Sequence, residues 1–277
     1  MRADLLGAPA VDWLALGAAL PPQTLRLILA DVDGVITRGE GHPIDIDVLQ
    51  RLAAVNGAAK RDPCIPAITL CTGRQAPYVE LMAQLVGVFL PCIFEHGAGL
   101  FFPTTFLYEF DTRLGPDYAA RLAKLRAALD EPLIRAGHAF VQPGKEATMT
   151  LYPQSALGQT SVDELTGVVE TVVARVAPDF GVARNVHGVE VRPRGIDKGS
   201  GARRIAELLE LPVAAMVGVG DSDPDLAFLD NCVGFSAAPS NATPTVRQHV
   251  MYVANASFGD GLLEIVALVE QRNRQSL

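Results

Sequence analysis

The sequence predicts an α/β fold, in which a doubly wound parallel sheet is interrupted by a smaller α+β domain. Three observations lead to this prediction. Short apolar segments typical of strands alternate with helical patterns from residue 25 onward, as they do in βα units. Near residue 104 the pattern changes to strands that alternate polar and apolar residues, as antiparallel strands covered on one face do. After Lys198 the βα alternation resumes.

The composition is that of a globular protein with a sizeable core. The chain has 277 residues, of which 49% are hydrophobic and 19% charged, so it resembles neither a disordered nor a fibrous protein. A net charge of −8 argues against a nucleic-acid partner, which usually meets a basic face. It is compatible with an anionic substrate in a locally positive site. Four cysteines without ligand-like spacing predict buried thiols in a reducing compartment.

Residues 1–24 predict a short helix rather than a signal or a membrane segment. Asp4 and Asp12 interrupt the apolar residues of this stretch, so no uninterrupted run reaches membrane-spanning length. We expect the helix to lead to a break at Pro21 and Pro22, and to dock on the body of the protein or on a partner subunit. We therefore expect a cytoplasmic protein without a membrane partner.

The larger domain contains βα units whose bounds follow from hydrophobic periodicity. Strands are predicted at residues 25–31, 65–71 and 214–220, and residues 90–102 are predicted to form a strand, a glycine turn and a short return. Helices are predicted at residues 45–59, 76–86, 199–210 and 224–230.

The inserted domain is predicted to contain two helices and three strands. The helices are expected at residues 115–136 and 161–177, and the strands at 104–111, 147–153 and 183–193. We place the larger domain at residues 1–103 and 194–277, with 1–24 as its N-terminal extension, and the smaller one at 104–193.

Polar side chains follow the predicted strands of the larger domain or open the helix after the insertion. They are Asp31 and Asp33 after the first strand, Thr72, Gly73 and Arg74 after the second, Lys198 at the helix start, and the aspartates of "GDSDPD" at 220–225. Because the carboxyl ends of parallel strands share one edge of a sheet, where ligands bind, these groups are expected to converge.

The converging residues indicate a metal and a phosphate. Carboxylates crowded into one crevice raise each other's pKa values or bind a cation. Oxygen ligands without His or Cys favour a hard cation, and few protein ligands with open positions favour Mg²⁺ held together with a phosphate. A lysine, a threonine hydroxyl and backbone N–H groups at helix starts suit the phosphate. The sequence therefore predicts a Mg²⁺ cofactor and a phosphorylated substrate.

Four segments of the chain resemble the four motifs of the haloacid dehalogenase superfamily, which are aspartate-nucleophile phosphotransferases. "DVDGVIT" resembles the first motif, and "LCTGR", "DKG" and "GDSDPDLAFL" resemble the second, third and fourth, in that order. The resemblance covers the whole larger domain and implies a Rossmann-like core.

The resemblance implies a role for each matching residue. Asp31 corresponds to the nucleophile that accepts the phosphoryl group, and Asp33 to the general acid that protonates the leaving group and then activates water. Thr72, with Gly73 beside it, and Lys198 would hold the phosphoryl oxygens. Arg74 either lines the pocket or forms a structural ion pair. The implied Mg²⁺ ligands are Asp31, the backbone carbonyl of Asp33, and Asp221, with Asp225 in support.

The insertion lies between the second and third motifs and resembles the cap of the Cof-like branch, which includes sugar-phosphate phosphatases and phosphomannomutases. "EHGAGLF" resembles the "ENGA" stretch of that branch, with His96 in place of asparagine as a loop-packing residue. "SNATP" resembles its "NA" loop and places Asn241 near the rim of the site. Pro224 replaces a common asparagine and stiffens the loop before Asp225. Lys145 precedes a cap strand, where relatives carry substrate contacts, and is a candidate contact or a solvated lysine.

We expect a Mg²⁺-dependent phosphomonoester hydrolase acting through an aspartyl-phosphate on a small metabolite, a sugar phosphate or a phosphoglycerate-type compound. Two alternatives remain at this level. A phosphosugar mutase would share the nucleophile, although the arginine-rich loop of phosphomannomutases is not evident. A non-enzymatic sensor of a phosphorylated ligand would not need Asp31, Asp33, Lys198 and Asp221 together.

Overall fold

The computed structural model describes residues 2–154, 161–185 and 187–276 and divides the chain into two compact units. The larger unit contains Met1–Glu109 and Asp197–Leu277, and the smaller unit contains Phe110–Ile196. Among the described residues, no helix is both long and apolar enough to cross a membrane.

The larger unit begins with two helices and then alternates strands with helices. Its helices before the insertion are α1 (Arg2–Leu6), α2 (Ala8–Leu16), α3 (Ile46–Ala59) and α4 (Ala76–Val86). Its strands there are β1 (Leu27–Ala30), β2 (Ala67–Leu70), β3 (Cys92–Phe94), β4 (Gly99–Phe102) and β5 (Leu107–Phe110), the last ending on the first residue of the smaller unit.

The described part of the smaller unit, which leaves out residues 155–160 and 186, contains two long helices and four strands. They are α5 (Tyr118–Leu129), β6 (Ala139–Val141), β7 (Met149–Pro153), α6 (Val162–Val176), β8 (Phe180–Arg184) and β9 (Val189–Pro193). The strands form an antiparallel sheet in the order β6-β7-β9-β8. Buried residues of α5, α6 and the sheet, such as Leu125, Val169, Leu151 and Val191, form its core.

The rest of the larger unit completes the main sheet. It contains α7 (Lys198–Leu209), β10 (Met216–Val219), α8 (Leu226–Leu229), β11 (Phe235–Ala238), α9 (Pro244–His249), β12 (Tyr252–Val253) and α10 (Phe258–Gln275). Five parallel strands are ordered β12-β11-β10-β1-β2, and β3 continues beside β2 through a parallel bridge between Cys71 and Ile93.

Helices cover both faces of the main sheet, which confirms the predicted doubly wound fold. Successive residues of β1 belong to two separate buried clusters: Ile28 and Ala30 pack with α3, α4 and α10, whereas Leu27 and Leu29 pack with α2, α7 and α8. Strands buried on both faces need near-continuous apolar sequence, and this explains why the segment before Asp31 is almost entirely apolar.

Three predicted elements differ from the structure. Residues 183–193 are predicted to form one strand, but the structure divides them between the end of β8 and the whole of β9, which pair as a hairpin. Between the two strands, Asn185 Oδ1 accepts from the N–H groups of His187 and Gly188. The strand expected at 104–111 in the cap is β5, which lies beside β4 in a sheet with β3. The helix expected over 115–136 ends at Leu129 and continues as a π-helical segment, Asp130–Arg135, where Pro132 lacks the N–H that an α-helix needs.

Candidate active site

Asp31 and Asp221 follow neighbouring strands at the carboxyl edge of the main sheet. In β1 and β10, Ala30 is paired with Val219, and the N–H of Asp31 donates to the carbonyl of Val219 at 2.9 Å. The N–H of Cys71 donates to the carbonyl of Ala30 at 2.8 Å, so that Thr72 follows at the same edge. Residues of the first, second and fourth motifs therefore meet at the carboxyl edge of the parallel sheet, as predicted.

Lys198 forms ion pairs with two of the carboxylates. Its Nζ lies 2.9 Å from Asp31 Oδ1 and 2.5 Å from Asp225 Oδ1, and all three side chains are buried. A cation in the first turn of a helix is unfavourable, and burial opposes its charge. The two carboxylates outweigh both effects and raise the pKa of Lys198 well above its usual value. Lys198 is therefore a fixed ammonium group.

Asp225 holds the loop that carries Asp221. Its Oδ2 accepts from the N–H groups of Asp221, at 2.9 Å, and Ser222, at 3.1 Å. The short 3-10 helix Asp223–Asp225 brings it into this position, and Pro224 fits there because an N–H is not needed at the start of a helical turn. Both oxygens of Asp225 are thus engaged, one by the loop and one by Lys198.

Asp31 and Asp221 both have pKa values raised into the neutral range. Burial is the main cause for both carboxyls, and neighbouring aspartates add to it against the opposing effect of Lys198. The pKa of Asp31 is about 7 and that of Asp221 about 8. The single positive charge of Lys198 does not balance three adjacent carboxylates. The cluster therefore favours the binding of a further cation.

The geometry of the cluster fits a hard divalent cation. Carboxylate oxygens of Asp31, Asp221 and Asp225 lie within 4.8 Å of one another. Asp221 Oδ1 is buried and has no hydrogen-bond partner among the described residues, which is costly unless an ion or water occupies the site. All donors are oxygens, and this suits Mg²⁺ rather than a softer metal.

Gly34 allows the loop after Asp33 to approach Asp221 closely. Its φ of +86° lies in the left-handed region, and a Cβ built on it would lie 2.1 Å from Asp221 Oδ2. The loop is also fixed by Asn241, whose Nδ2 donates to the carbonyl of Gly34 at 2.8 Å and whose Oδ1 accepts from the N–H of Phe258 at 2.7 Å. The structure thus places Asn241 behind the loop, where both ends of its amide bind backbone.

Asp33 forms a bidentate ion pair with Arg74. Arg74 Nε lies 2.6 Å from Asp33 Oδ2, and its Nη2 lies 2.9 Å from Oδ1. The guanidinium is itself held by Glu40, at 3.2 Å, and stacks over the ring of Tyr78, at 4.8 Å. Of the two possibilities for Arg74, the structure shows the ion pair. The sequence contains no signal that pairs these two residues, which are 41 positions apart.

Thr72 and Gly73 form a tight loop after β2. Thr72 is buried, and its Oγ1 accepts from the N–H of Arg74 at 3.2 Å. The ring of His96 packs so closely on Gly73 that a Cβ there would lie 2.2 Å from His96 Nε2. His96 has a φ of +57° and Glu95 a φ of +46°, an uncommon conformation for residues other than glycine. His96 packs on this loop, as the sequence predicts.

Lys145 lies in the smaller unit and is buried. Its Nζ donates to Thr150 Oγ1 at 2.6 Å, and its carbonyl accepts from Arg126 Nη2 at 2.5 Å. Of the predicted site residues, it is the one that the larger unit does not contain.

Comparisons with known proteins show which proteins this chain resembles. The family model of haloacid dehalogenase-like hydrolases matches residues 156–266. A phosphoglycolate phosphatase of Methanosarcina acetivorans is 23% identical over 249 residues, which cover 88% of this chain and 96% of that protein.

Two solved structures share the fold. The Thermoplasma acidophilum protein 0175 has a TM-score of 0.67 and 18% identity, with 89% of this chain and 99% of that chain covered. The sucrose-phosphatase of Synechocystis, in complex with sucrose and phosphate, has a TM-score of 0.63 and 17% identity, with 89% and 98% covered. The chain is thus similar to haloacid dehalogenase-like hydrolases over residues 156–266, and relatives that align over most of its length are named phosphoglycolate phosphatases.

Proposed function

We propose that this protein is a Mg²⁺-dependent phosphomonoester hydrolase that acts through an aspartyl-phosphate on Asp31. The observation that carries the proposal is the position of Asp31, a buried carboxylate at a strand end, which pairs with Lys198 and lies close to Asp221, whose Oδ1 has no partner among the described residues. Splitting phosphoryl transfer into two steps through a covalent intermediate lowers the difficulty of each. A bound Mg²⁺ neutralises charge on the phosphoryl oxygens when it is present.

The reaction has two steps, transfer of the phosphoryl group to Asp31 and hydrolysis of the resulting aspartyl-phosphate. In the first, Asp31 forms a bond to phosphorus while the bond to the leaving oxygen breaks, and Asp33 gives that oxygen a proton. In the second, Asp33 takes a proton from a water molecule while the water oxygen bonds to phosphorus. The bond between phosphorus and the Asp31 oxygen then breaks, and phosphate is released. Lys198 and Thr72 bind the phosphoryl oxygens, and Asp31, the Asp33 carbonyl and Asp221 would hold the metal.

We propose a small phosphorylated carboxylic acid or a sugar phosphate as the substrate. A relative that aligns over nearly its whole length is a phosphoglycolate phosphatase, and a structural neighbour is a sucrose-phosphatase. These relatives support the substrate class expected from the sequence. Phosphoglycolate is the first candidate, because the full-length alignment is a closer likeness than a shared fold.

The test is phosphate release from 2-phosphoglycolate, 3-phosphoglycerate, glucose 6-phosphate and sucrose 6-phosphate, with Mg²⁺ and with EDTA. We expect release from one or two of them, lost in EDTA and restored by Mg²⁺. The Asp31→Asn variant should lose turnover while it keeps its fold, since Lys198 still pairs with Asp225. Asp47→Asn, at an exposed acid of α3, is the matched control.

Turnover at the level of the unaltered protein in Asp31→Asn would exclude Asp31 as the nucleophile. Transfer of the phosphoryl group between positions of a sugar, without release, would instead indicate a mutase.

A further inference from the structure

A cavity of about 640 Å³ lies against the N-terminal helices, within the larger unit. Arg26 and Ala215, which line it, directly precede β1 and β10, whereas Asp31 and Asp221 follow the same strands. The cavity therefore lies at the opposite edge of the sheet from the candidate active site. Most of its lining is apolar, including Leu6, Val11, Leu14, Leu20, Leu209 and Leu211.

Arg26 supplies a positive charge to this apolar cavity. One of its nitrogens donates to the carbonyl of Trp13 at 2.6 Å, and its guanidinium lies 4.2 Å from the centre of the Trp13 ring. No carboxylate of the described residues forms an ion pair with it, and burial lowers the pKa of the guanidinium. A guanidinium has five N–H donors, so donors remain for a ligand. The other charged lining residue, Glu210, is exposed.

Thr24 supplies a second polar group to the lining. The residue is 2% exposed, and its side-chain oxygen has no hydrogen-bond partner among the described residues. A buried hydroxyl without a partner costs stability, and a ligand oxygen would remove that cost. Thr24 and Arg26 are two residues apart and line the same cavity.

We propose that this cavity is a binding site for an amphipathic carboxylate, a molecule with one anionic head and an unbranched apolar chain. Arg26 and Thr24 bind the carboxylate, and the leucines bind the chain. The volume is within the range of pockets that bind small molecules, roughly 300–1,000 Å³. An apolar wall with a cation that no described carboxylate pairs favours this class over a polar metabolite, whose other groups would lose their hydrogen bonds to water.

The test uses Trp13, the single tryptophan of the chain, as a fluorescent reporter beside Arg26. Decanoate, 1-decanol and decyltrimethylammonium share a chain and differ in the charge of the head. We expect saturable quenching or enhancement with decanoate, and about tenfold weaker binding of decanol, since hydrogen bonds to a charged group contribute that much or more. The ammonium compound should bind more weakly still. Isothermal titration calorimetry provides the affinities without the reporter.

Variants locate the carboxylate. Arg26→Gln should weaken decanoate binding about tenfold and leave decanol binding unchanged, whereas Arg61→Gln, at an exposed arginine outside the lining, should change neither. Thr24→Val should weaken decanoate binding by a smaller factor. If Arg26→Gln does not fold, the affinities of the three ligands for the unaltered protein still show whether the cavity prefers an anionic head group.

Equal affinity for decanoate and decanol, or no binding of either, would overturn the proposal. So would a concentration-dependent dimer in ultracentrifugation that dissociates on Val11→Glu, with no decanoate binding, because the cavity would then belong to an interface with a second copy. Phosphatase activity is not a readout here, and the outcome does not depend on the function proposed above.

Discussion

Asp33 is oriented by two nitrogens of Arg74, and Arg74 is in turn oriented by Glu40 and Tyr78. A group that donates and later accepts a proton must stay within hydrogen-bond distance of the reacting oxygen. The planar fork of the guanidinium fixes both carboxylate oxygens at once, which an ammonium group does not. The orientation of Asp33 thus depends on the shape of its partner as well as on its charge.

We predict that Arg74→Lys lowers kcat about tenfold, less than the roughly 10²–10⁴-fold that a general acid contributes in full, because the variant misplaces Asp33 without removing it, with a smaller change in KM. The measurement is steady-state kinetics on whichever of the four phosphorylated test compounds the protein hydrolyses. Arg51→Lys is the control, since Arg51 pairs with Asp260 on the surface, where both side chains are more than half exposed. An unchanged kcat in Arg74→Lys would show that a positive charge at this position is sufficient to orient Asp33, without the planar shape of the guanidinium.

The loop between β1 and α3 depends on the backbone of one glycine. Gly34 and Gly39 both have positive φ values, of +86° and +93°, but a Cβ on Gly34 would meet Asp221 at 2.1 Å, whereas Gly39 has nothing within 4 Å. An alanine at either position strains the backbone, but only an alanine at Gly34 also collides with a neighbouring side chain. A comparison of the two variants therefore distinguishes these effects.

We predict that Gly39→Ala costs about 1 kcal/mol of stability, as left-handed backbone does for a residue with a side chain, and keeps its activity. Gly34→Ala should show the same strain and also lose most of its activity and its Mg²⁺ affinity, because Asp221 must move. Thermal unfolding, phosphate release and Mg²⁺ titration by calorimetry measure the three effects. Equal activity in the two variants would contradict a close approach of this loop to Asp221.

The order of elements and the meeting of the motifs could be predicted from the sequence, because buried parallel strands are nearly all apolar and their carboxyl ends meet. The ion pair of Asp33 with Arg74 could not, since each residue follows a different strand and nothing in a linear sequence states the rotamer of either. The hairpin of β8 and β9 had a signal in Asn185 and Gly188, which are typical turn residues. The sheet to which β5 belongs had none, and the prediction that this strand is covered on one face is wrong, because all four residues of β5 are exposed.

The charge balance of the active site affects the stability of the whole molecule. Asp31 and Asp221 have pKa values of about 7 and about 8 in the folded protein, mainly through burial, and near 4 when unfolded. Between about pH 4 and pH 8 these two carboxyls therefore bind more protons in the folded chain than in the unfolded chain. The free energy of unfolding of the metal-free protein therefore falls as the pH rises through this window.

We predict that in EDTA the protein unfolds at a lower denaturant concentration at about pH 8 than at about pH 5.5, and that Mg²⁺ reduces the difference by binding the ionised folded state. Asp221→Asn should reduce the difference in EDTA, and Asp47→Asn should leave it as it is. Chemical unfolding followed by circular dichroism measures this. A stability in EDTA that rises with pH would contradict the raised pKa values.

The pairing of β1 has a consequence for how the protein is made. One neighbour of β1 is β2, which follows closely, and the other is β10, which begins at Met216, after the whole insertion. While the ribosome is still adding residues 110–196, the edge of β1 that will receive β10 is open. The buried carboxyl of Asp31 then also has no Lys198 beside it. The central strand is completed only when most of the chain has been translated, and contacts so distant in sequence form slowly. Unpaired strand edges are prone to aggregation, so this edge of the nascent chain is exposed to association until β10 has been made.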